Sequence, residues 1–283
     1  MKIAAVVILY DPVKDVIRNI NSYSEAIDLL YIVDNSTHPS IEIHASFIGK
    51  QKVLYLHDGE NKGIAFRLNQ VIKMAKDHEY DWLLTMDQDS LFSSQTFLTY
   101  LNCVRKFEQK ENVSMFGTNH AEKITTNDFC NSISVKHLIT SGSLLNLKAE
   151  SKIGGFDENL FIDEVDFEYC LRSVLNGFQV IQFTDIFLQH NLGETVYRRS
   201  FKTTKPSSRV LHSPQRLYYM TRNFFYVEAK YKLAFPDEMR ERRKILLNRI
   251  KNNVFYHKQR FRILKYVMKG FWDYRKKRMG KFK

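Results

Sequence analysis

The sequence is short of the residues that break chains, with 11 glycines and five prolines among 283 residues. That leaves little room for linker or low-complexity sequence, and no internal repeat is visible. Cysteine is scarce too. Cys103, Cys130 and Cys170 are odd in number and share no metal-ligand spacing, so they read as reduced, buried thiols in a cytosolic compartment. Long hydrophobic runs are missing. The opening KIAAVVILYDP is too short to span a bilayer and lacks a small-residue cleavage site, so a buried first strand is expected there rather than a signal peptide. No glycine follows that run, in LYDPVKDV. This excludes the Gly-rich turn of a dinucleotide oxidoreductase.

What is present is core. A hydrophobic fraction of 44% suits one large domain, or a domain of about 200 residues with an extension. The net charge of +12 is uneven: from Asp237 onward there are 17 Lys+Arg and four Asp+Glu, whereas the preceding 236 residues carry 26 and 27. The expected organisation is a near-neutral domain over 1–235 and a basic helical tail over 236–283.

Ile3–Tyr10 is a continuous apolar run, as in a strand buried on both faces. Asp11-Pro12 then has the form of a helix cap and first helical residue. Apolar strands are expected at Leu29–Val33, Lys52–Leu56, Trp82–Met86 and Val113–Gly117, with helices at Ile64–Lys76 and Ser93–Glu108. Alternation of this kind predicts an α/β fold with a mostly parallel central sheet and helices on both faces. Beyond it, Leu138–Lys148 reads as a strand with a Ser-Gly-Ser break, a helix starts near Asp163, and a strand runs into His190. From Ser213-Pro214 onward the chain reads helical.

Such sheets carry function at the carboxyl ends of their strands. Those ends bear Tyr10-Asp11, Asp34-Asn35, the Asp58–Gly63 loop and Asp87–Asp89. In LLTMDQDSLF, Asp87 and Asp89 would share a face of a continuing strand, and their mutual repulsion calls for a divalent cation, a basic side chain, a retained proton or solvent at a strand end. Mg²⁺ or Mn²⁺ with a diphosphate satisfies the first option. Asn61-Lys62-Gly63 before a helix suits an anion, or a turn with a left-handed glycine. In FIDEVDFEYCLR the acids Asp163, Glu164, Asp166 and Glu168 exceed what a helix dipole needs, so one is a candidate general base. His190 is either structural or a third metal ligand beside the Asp pair.

In order, VVILYDP, IVDNS, ENKGIAFRLNQ, LLTMDQDS, TSGSLL, GGFDENLFIDEVDFEYCLR and QHNLGE resemble the family 2 glycosyltransferases of GT-A fold. The likeness covers roughly residues 1–230 and is greatest to the bacterial rhamnosyltransferase branch of O-antigen and capsule synthesis. The resemblance implies an inverting transferase. It puts Tyr10 and Asp34 at the nucleoside, Asn61, Lys62 and Gly63 along the pyrophosphate, and Ser141 and Gly142 on the substrate side. Asp87, Asp89 and His190 would bind Mg²⁺ or Mn²⁺, with Asp87 also facing the ribose. The base would be Asp166, counted back from Leu171-Arg172, with Asp163 in reserve, since Val165 stands where the family has the first acid of its pair. RLYYMTRN, with Arg216 and Arg222, would shape the acceptor side. The implied partners are a dTDP- or UDP-linked sugar and a glycan or lipid-linked acceptor.

Two carboxylates also suit a glycoside hydrolase, which has no use for a basic pyrophosphate loop and a metal pair. The tail interleaves Phe255, Tyr256, Phe261, Tyr266, Phe271, Trp272 and Tyr274 with basic residues, which fits nucleic acid or anionic lipid. A nucleic-acid module would leave the acidic crevice unexplained, so none is expected. The apolar stripes predict an interfacial helix or a helix packed on the domain. The expected location is the cytoplasm, at the inner face of the cell membrane.

Overall fold

The structure is a computed structural model and describes residues 1–13, 15–120, 130–190, 195–199 and 206–282. The chain divides into two compact units, Met1–Phe161 with Val165–Asn191, and Ile162–Glu164 with Leu192–Lys283.

The first unit alternates strand and helix: β1 (Ile3–Leu9), α1 (Asp15–Ser24), β2 (Leu29–Asp34), α2 (Ile41–Phe47), β3 (Val53–His57), α3 (Ile64–Asp77) and β4 (Trp82–Asp87). There follow β5 (Ser90–Leu91), α4 (Ser94–Lys106), β6 (Val113–Asn119), β7 (Ser132–Ser134), β8 (Ser143–Asn146) and α5 (Leu147–Ile153). The unit closes with α6 (Val165–Leu175), β9 (Gln179–Phe187) and β10 (Gln189–His190). Eight strands form one sheet in the order β3-β2-β1-β4-β8-β6-β9-β7. The four strands from β3 to β4 are mutually parallel, as expected. Ile3, Ala5, Val7 and Leu9 of β1 join the core with α1 and α4, while Ala4 and Val6, on the opposite face, are buried as well. Burial on both faces explains why this strand is apolar throughout.

The structure corrects three expectations. The segment read as a strand over Leu138–Lys148 is a turn followed by the short β8, which pairs antiparallel with both β4 and β6. Asp11 does not cap a helix. Its φ is 44° and its amide donates to Ser36 Oγ at 2.8 Å, so it belongs to a turn at the sheet edge. Cys103 and Cys130 form a disulfide, with Cα atoms 5.3 Å apart, and only Cys170 is a free, buried thiol. The fold brings those two cysteines together across a separation of 27 residues, a proximity that spacing alone does not reveal.

The second unit contains the antiparallel hairpin β11 (Thr195–Arg199) and β12 (Pro206–Val210), then α7 (Pro214–Tyr231), α8 (Pro236–Tyr256) and α9 (Arg260–Arg275). Ser213 caps α7 by accepting from the Arg216 amide, and Pro214 is its first residue, as expected. Leu217, Met220 and Phe224 of α7, Leu246 of α8 and Ile263 of α9 form one core. Gly270 marks the closest approach of α9 to α7, where a Cβ would lie 2.6 Å from the Tyr218 carbonyl oxygen. The expected boundary at 235/236 therefore falls between two helices of one compact unit. Arg222, expected on the acceptor side, is fully buried and donates to the Gly280 carbonyl at 2.7 Å and to Asn223 at 3.0 Å. It holds the chain's C-terminal stretch against α7. Among the described residues, no helix is long and apolar enough to cross a membrane.

Candidate active site

In the first unit, the parallel register brings the polar strand ends together. Leu9 pairs with Asp34, Ile8 with Asp87, and Asp34 with His57. The edge is cross-linked. Tyr10 is exposed, and its amide donates to Gln88 Oε1 at 2.9 Å while Gln88 Nε2 donates to the Tyr10 carbonyl at 3.2 Å. The Asn35 amide donates to the Leu9 carbonyl at 2.8 Å.

Asp34 is buried and accepts three hydrogen bonds beyond its own residue, from the Ser36 and Ser40 amides at 3.0 Å each and from the Tyr55 hydroxyl at 2.6 Å. Burial opposes its charge, but the Ser36, Tyr55 and Ser40 donors outweigh it, so its pKa lies below the ordinary value. The carboxylate anchors the turn after β2, and any ligand contact would use its remaining lone pairs.

The Asn61-Lys62-Gly63 loop differs from the anion cradle expected. The Lys62 amide donates to Asn35 Oδ1 at 2.9 Å, the Gly63 amide to Asn61 Oδ1 at 3.1 Å and the Ile64 amide to the Phe161 carbonyl at 2.7 Å. Three successive amides at the start of α3 are thus occupied within the chain. Lys62 Nζ is 2.7 Å from Asp58, whose hydrogen bond raises the lysine pKa. Gly63 has φ 85°, and a Cβ there would meet the Phe161 ring at 2.5 Å, so this position takes only glycine.

Arg67 organises this loop and was missed by the sequence reading. It is almost completely buried. It donates to Asn35 Oδ1 at 2.9 Å, to both oxygens of Asp58 at 3.0 and 2.5 Å, and to the Glu60 carbonyl at 2.7 Å. The Arg67 hydrogen bonds hold the Asp58 carboxyl well below the usual range. The sequence does contain a signal: Arg67 is three residues after Ile64 and four before Val71, on the apolar face of α3.

β4 ends at Asp87, and a turn rather than a continuing strand leads to Asp89. The pair is half-buried. Ser141 is buried, so it supports the edge from behind: its hydroxyl accepts from the Asp87 amide at 3.2 Å and donates to Ser90 Oγ at 2.7 Å. Gly142 donates its amide to the Thr85 carbonyl at 2.9 Å. The β10–β5 pairing sets His190 opposite Ser90, next in the chain to Asp89. The His190 side chain lies outside the described residues. Among the described residues there is no group of three His, Cys, Asp or Glu that could hold a metal. Asp87 and Asp89 are neighbouring carboxylates, and carboxylate oxygens are the ligand type that hard ions such as Mg²⁺ or Mn²⁺ take.

The acids around α6 separate clearly. Glu168 is buried against Arg172, with hydrogen bonds of 3.1 and 2.9 Å. In the second unit, Asp163 accepts from Arg216 at 2.7 Å and Glu164 from Arg242 at 2.5 Å. Both residues have left-handed φ, 66° and 63°, a conformation that costs about 1–3 kcal/mol at a non-glycine residue. Asn223, the last residue of the RLYYMTRN segment, is buried and steadies them by donating to the Ile162 and Asp163 carbonyls at 2.7 and 3.0 Å. Asp166 stands in the first turn of α6, half-buried, and accepts from the Phe167 amide at 2.8 Å. It alone of the four has no cationic partner among the described residues.

The mixed eight-stranded sheet with its parallel β3-β2-β1-β4 half is the GT-A fold. Residues 6–151 match glycosyl transferase family 2, and the chain belongs to that family. It is 28% identical over 259 residues to the dTDP-rhamnosyl transferase RfbF of Shigella flexneri, covering 84% of each chain. Among solved structures, S. aureus TarS 1–349 in complex with UDP-GlcNAc has a TM-score of 0.58 at 16% identity, over 97% of this chain and 80% of that one. GalNAc-T7 with UDP, GalNAc and Mn²⁺ has a TM-score of 0.55 at 8% identity, over 67% of this chain and 44% of that one.

Proposed function

We propose that the protein transfers a sugar, rhamnose by analogy with its Shigella relative, from a dTDP- or UDP-linked donor. The acceptor is a hydroxyl of a glycan or lipid-linked glycan in cell-surface polysaccharide synthesis. The observation that carries this reading is the isolation of Asp166 among acids that are otherwise ion-paired, because a base must be ionised yet unencumbered. Asp166 takes the proton of the acceptor hydroxyl as that oxygen bonds to the anomeric carbon. The bond from that carbon to the diphosphate breaks on the opposite face, and its electron pair leaves with the diphosphate. The anomeric centre inverts without an enzyme nucleophile. Asp87, Asp89 and His190 would hold Mg²⁺ or Mn²⁺, which when bound supplies positive charge to the leaving phosphate. The test is a panel of sugar nucleotides screened by Mn²⁺-dependent thermal stabilisation, followed by NMR of the product's anomeric configuration. Retention of configuration, or full donor affinity in EDTA, would overturn the reading.

The tail supports membrane attachment. α9 turns Ile263 into the helical core, while Phe261 (80% exposed), Leu264, Met268 and Trp272 (56%) remain on the outside at helical spacing, interleaved with Arg262, Lys265 and Arg275. Apolar side chains among cations suit an anionic bilayer surface.

A further inference from the structure

Within the first unit, β1 stays paired beyond its last strand residue. Alternate residues of a strand turn their main-chain groups to opposite neighbours. On the β2 side, the Leu9 carbonyl accepts from the Asn35 amide and the Asp11 amide donates to Ser36 Oγ, both at 2.8 Å. On the β4 side, the last strand partners are Ile8 and Asp87, and the chain then turns at Gln88 and Asp89. The Gln88 side chain takes the place of the next strand residue. A carboxamide carries the donor and the acceptor of one peptide unit. Gln88 directs both to Tyr10: Oε1 accepts from its amide at 2.9 Å and Nε2 donates to its carbonyl at 3.2 Å. The Gln88 main chain is itself held. Its carbonyl accepts from Nδ2 of the buried Asn19, on α1, at 2.8 Å, and the neighbouring Asp87 amide donates to Ser141. The Tyr10 side is the looser partner. Its ring is 52% exposed, so core packing does not fix it, and its direction follows from its main chain.

We propose that Gln88 is a positioning residue that holds the nucleoside subsite at Tyr10 in register with the metal-binding turn Asp87–Asp89. This rests on the transferase reading above and deepens it. A nucleoside diphosphate joins two fragments, a nucleoside and a metal-bound diphosphate. The joined ligand gains over its fragments only when their subsites keep the separation that the ligand requires. Gln88 stands between the two acids in the chain and grips Tyr10 with its side chain, so it is a direct link between the subsites. The residue type follows from that task. A glutamate at 88 would offer the Tyr10 carbonyl no donor and would add a third negative charge to the turn. An asparagine is one methylene too short to span the gap, and an apolar side chain would leave both Tyr10 groups to solvent.

The experiment uses the full chain and compares a whole ligand with its two parts. dTDP and inorganic pyrophosphate are titrated by calorimetry with Mn²⁺, thymidine is titrated by NMR without metal, and UDP with uridine serves as a parallel set. Gln88→Leu removes both hydrogen bonds to Tyr10 at similar side-chain volume. It should weaken dTDP about tenfold or more, the scale of two lost neutral hydrogen bonds. Thymidine alone and pyrophosphate alone should each stay within about twofold of the wild type, because each needs only one subsite. Gln88→Asn keeps the carboxamide but not its reach, so it should lose dTDP as Gln88→Leu does, and it carries the test if the leucine variant does not fold. A general loosening of the edge would weaken all three ligands together, and that result overturns the positioning role. A loss already complete with thymidine overturns it too, since Gln88 would then serve the nucleoside subsite alone. Equal dTDP affinity in wild type and Gln88→Leu removes the link and leaves the transferase reading standing. A wild type that binds neither dTDP nor UDP removes the transferase reading, and this inference with it.

Discussion

The two units carry opposite charge and use it in opposite ways. The first holds 17 Lys+Arg and 23 Asp+Glu, the second 26 and eight. In the first, key acids are ordered by donors close in the fold: Asp34 by two amides and a hydroxyl, Asp58 by Arg67 and Lys62. That arrangement leaves the half-buried Asp87 and Asp89 at an edge where added positive charge is favourable. In the second, acids are the minority and serve to aim arginines. One chain thus builds an acidic strand edge where a cation is favoured and a basic helical unit where anions are favoured.

The sharpest way to break this comparison is at the helix that follows the junction. Asp166→Asn is expected to lower kcat by at least about 100-fold, the scale of general-base loss, with donor KM nearly unchanged. Asp163→Asn removes an ion pair of the second unit instead. It should lower the melting temperature and affect turnover less. If the two variants exchange these phenotypes in steady-state kinetics and calorimetry, the base is Asp163 and the separation of roles fails.

Next in size is the cation side. Asp89→Asn should fold normally and lose at least about tenfold of its Mn²⁺-dependent donor affinity, because an amide is a weaker ligand for a hard cation. Calorimetric titration of dTDP with Mn²⁺ and then with EDTA checks this. Identical curves for wild type and variant would show that the edge acids bind no metal.

The parallel strands were legible because a strand buried on both faces must be apolar along its whole length, as IAAVVIL is. Their polar ends were legible for the same reason, since an Asp after such a run has to leave the core. What could not be read was pairing over long separations. Asp163 and Asp166 look alike in FIDEVDF, and the ion pair to Arg216, 53 residues on, distinguishes them. The amides at Lys62, Gly63 and Ile64 looked available for an anion until Asn35, Asn61 and Phe161 were seen to take them. A strand was legible within Leu138–Lys148, but the antiparallel pairing of β8 with β4 and β6 was not, because four residues carry no mark of strand direction.

A third prediction concerns the buried guanidinium of the first unit. Arg67→Met removes hydrogen bonds to Asp58, Asn35 and Glu60 and should cost about 2–3 kcal/mol of unfolding free energy, as for a broken, mostly buried pair. The pH dependence has a definite sign. The folded-state pKa of Asp58 is depressed by Arg67, so its contribution is present above the unfolded value of about 3.9 and is lost as pH falls through the folded value. The stability gap between wild type and Arg67→Met should therefore begin to narrow below about pH 4 and close only below the depressed folded value. Denaturant melts at pH 7 and pH 3 that differ by the same amount would show that Arg67 acts by packing rather than charge.

The smallest effect expected is on the outer face of α9. Deleting the tail is the wrong probe, because α8 and α9 cover Leu217, Met220 and Phe224 of α7, and their loss would expose core. Single changes at exposed positions avoid this. Phe261→Ser and Trp272→Ser each remove apolar area that is already in water, so unfolding free energy should shift by no more than about 0.5 kcal/mol. Each ring buried at an interface contributes modestly, so binding to phosphatidylglycerol vesicles should fall severalfold for either variant and further for both. Raising salt should release the wild type as well, since screening at physiological ionic strength acts over about 8 Å. Vesicle sedimentation across a salt series separates the two contributions: the serine variants should lower the high-salt plateau, whereas charge loss should change the slope. If neither serine variant alters binding at any salt concentration, the lipid contact lies on another face of the basic unit, and the exposed stripe of α9 has a different partner.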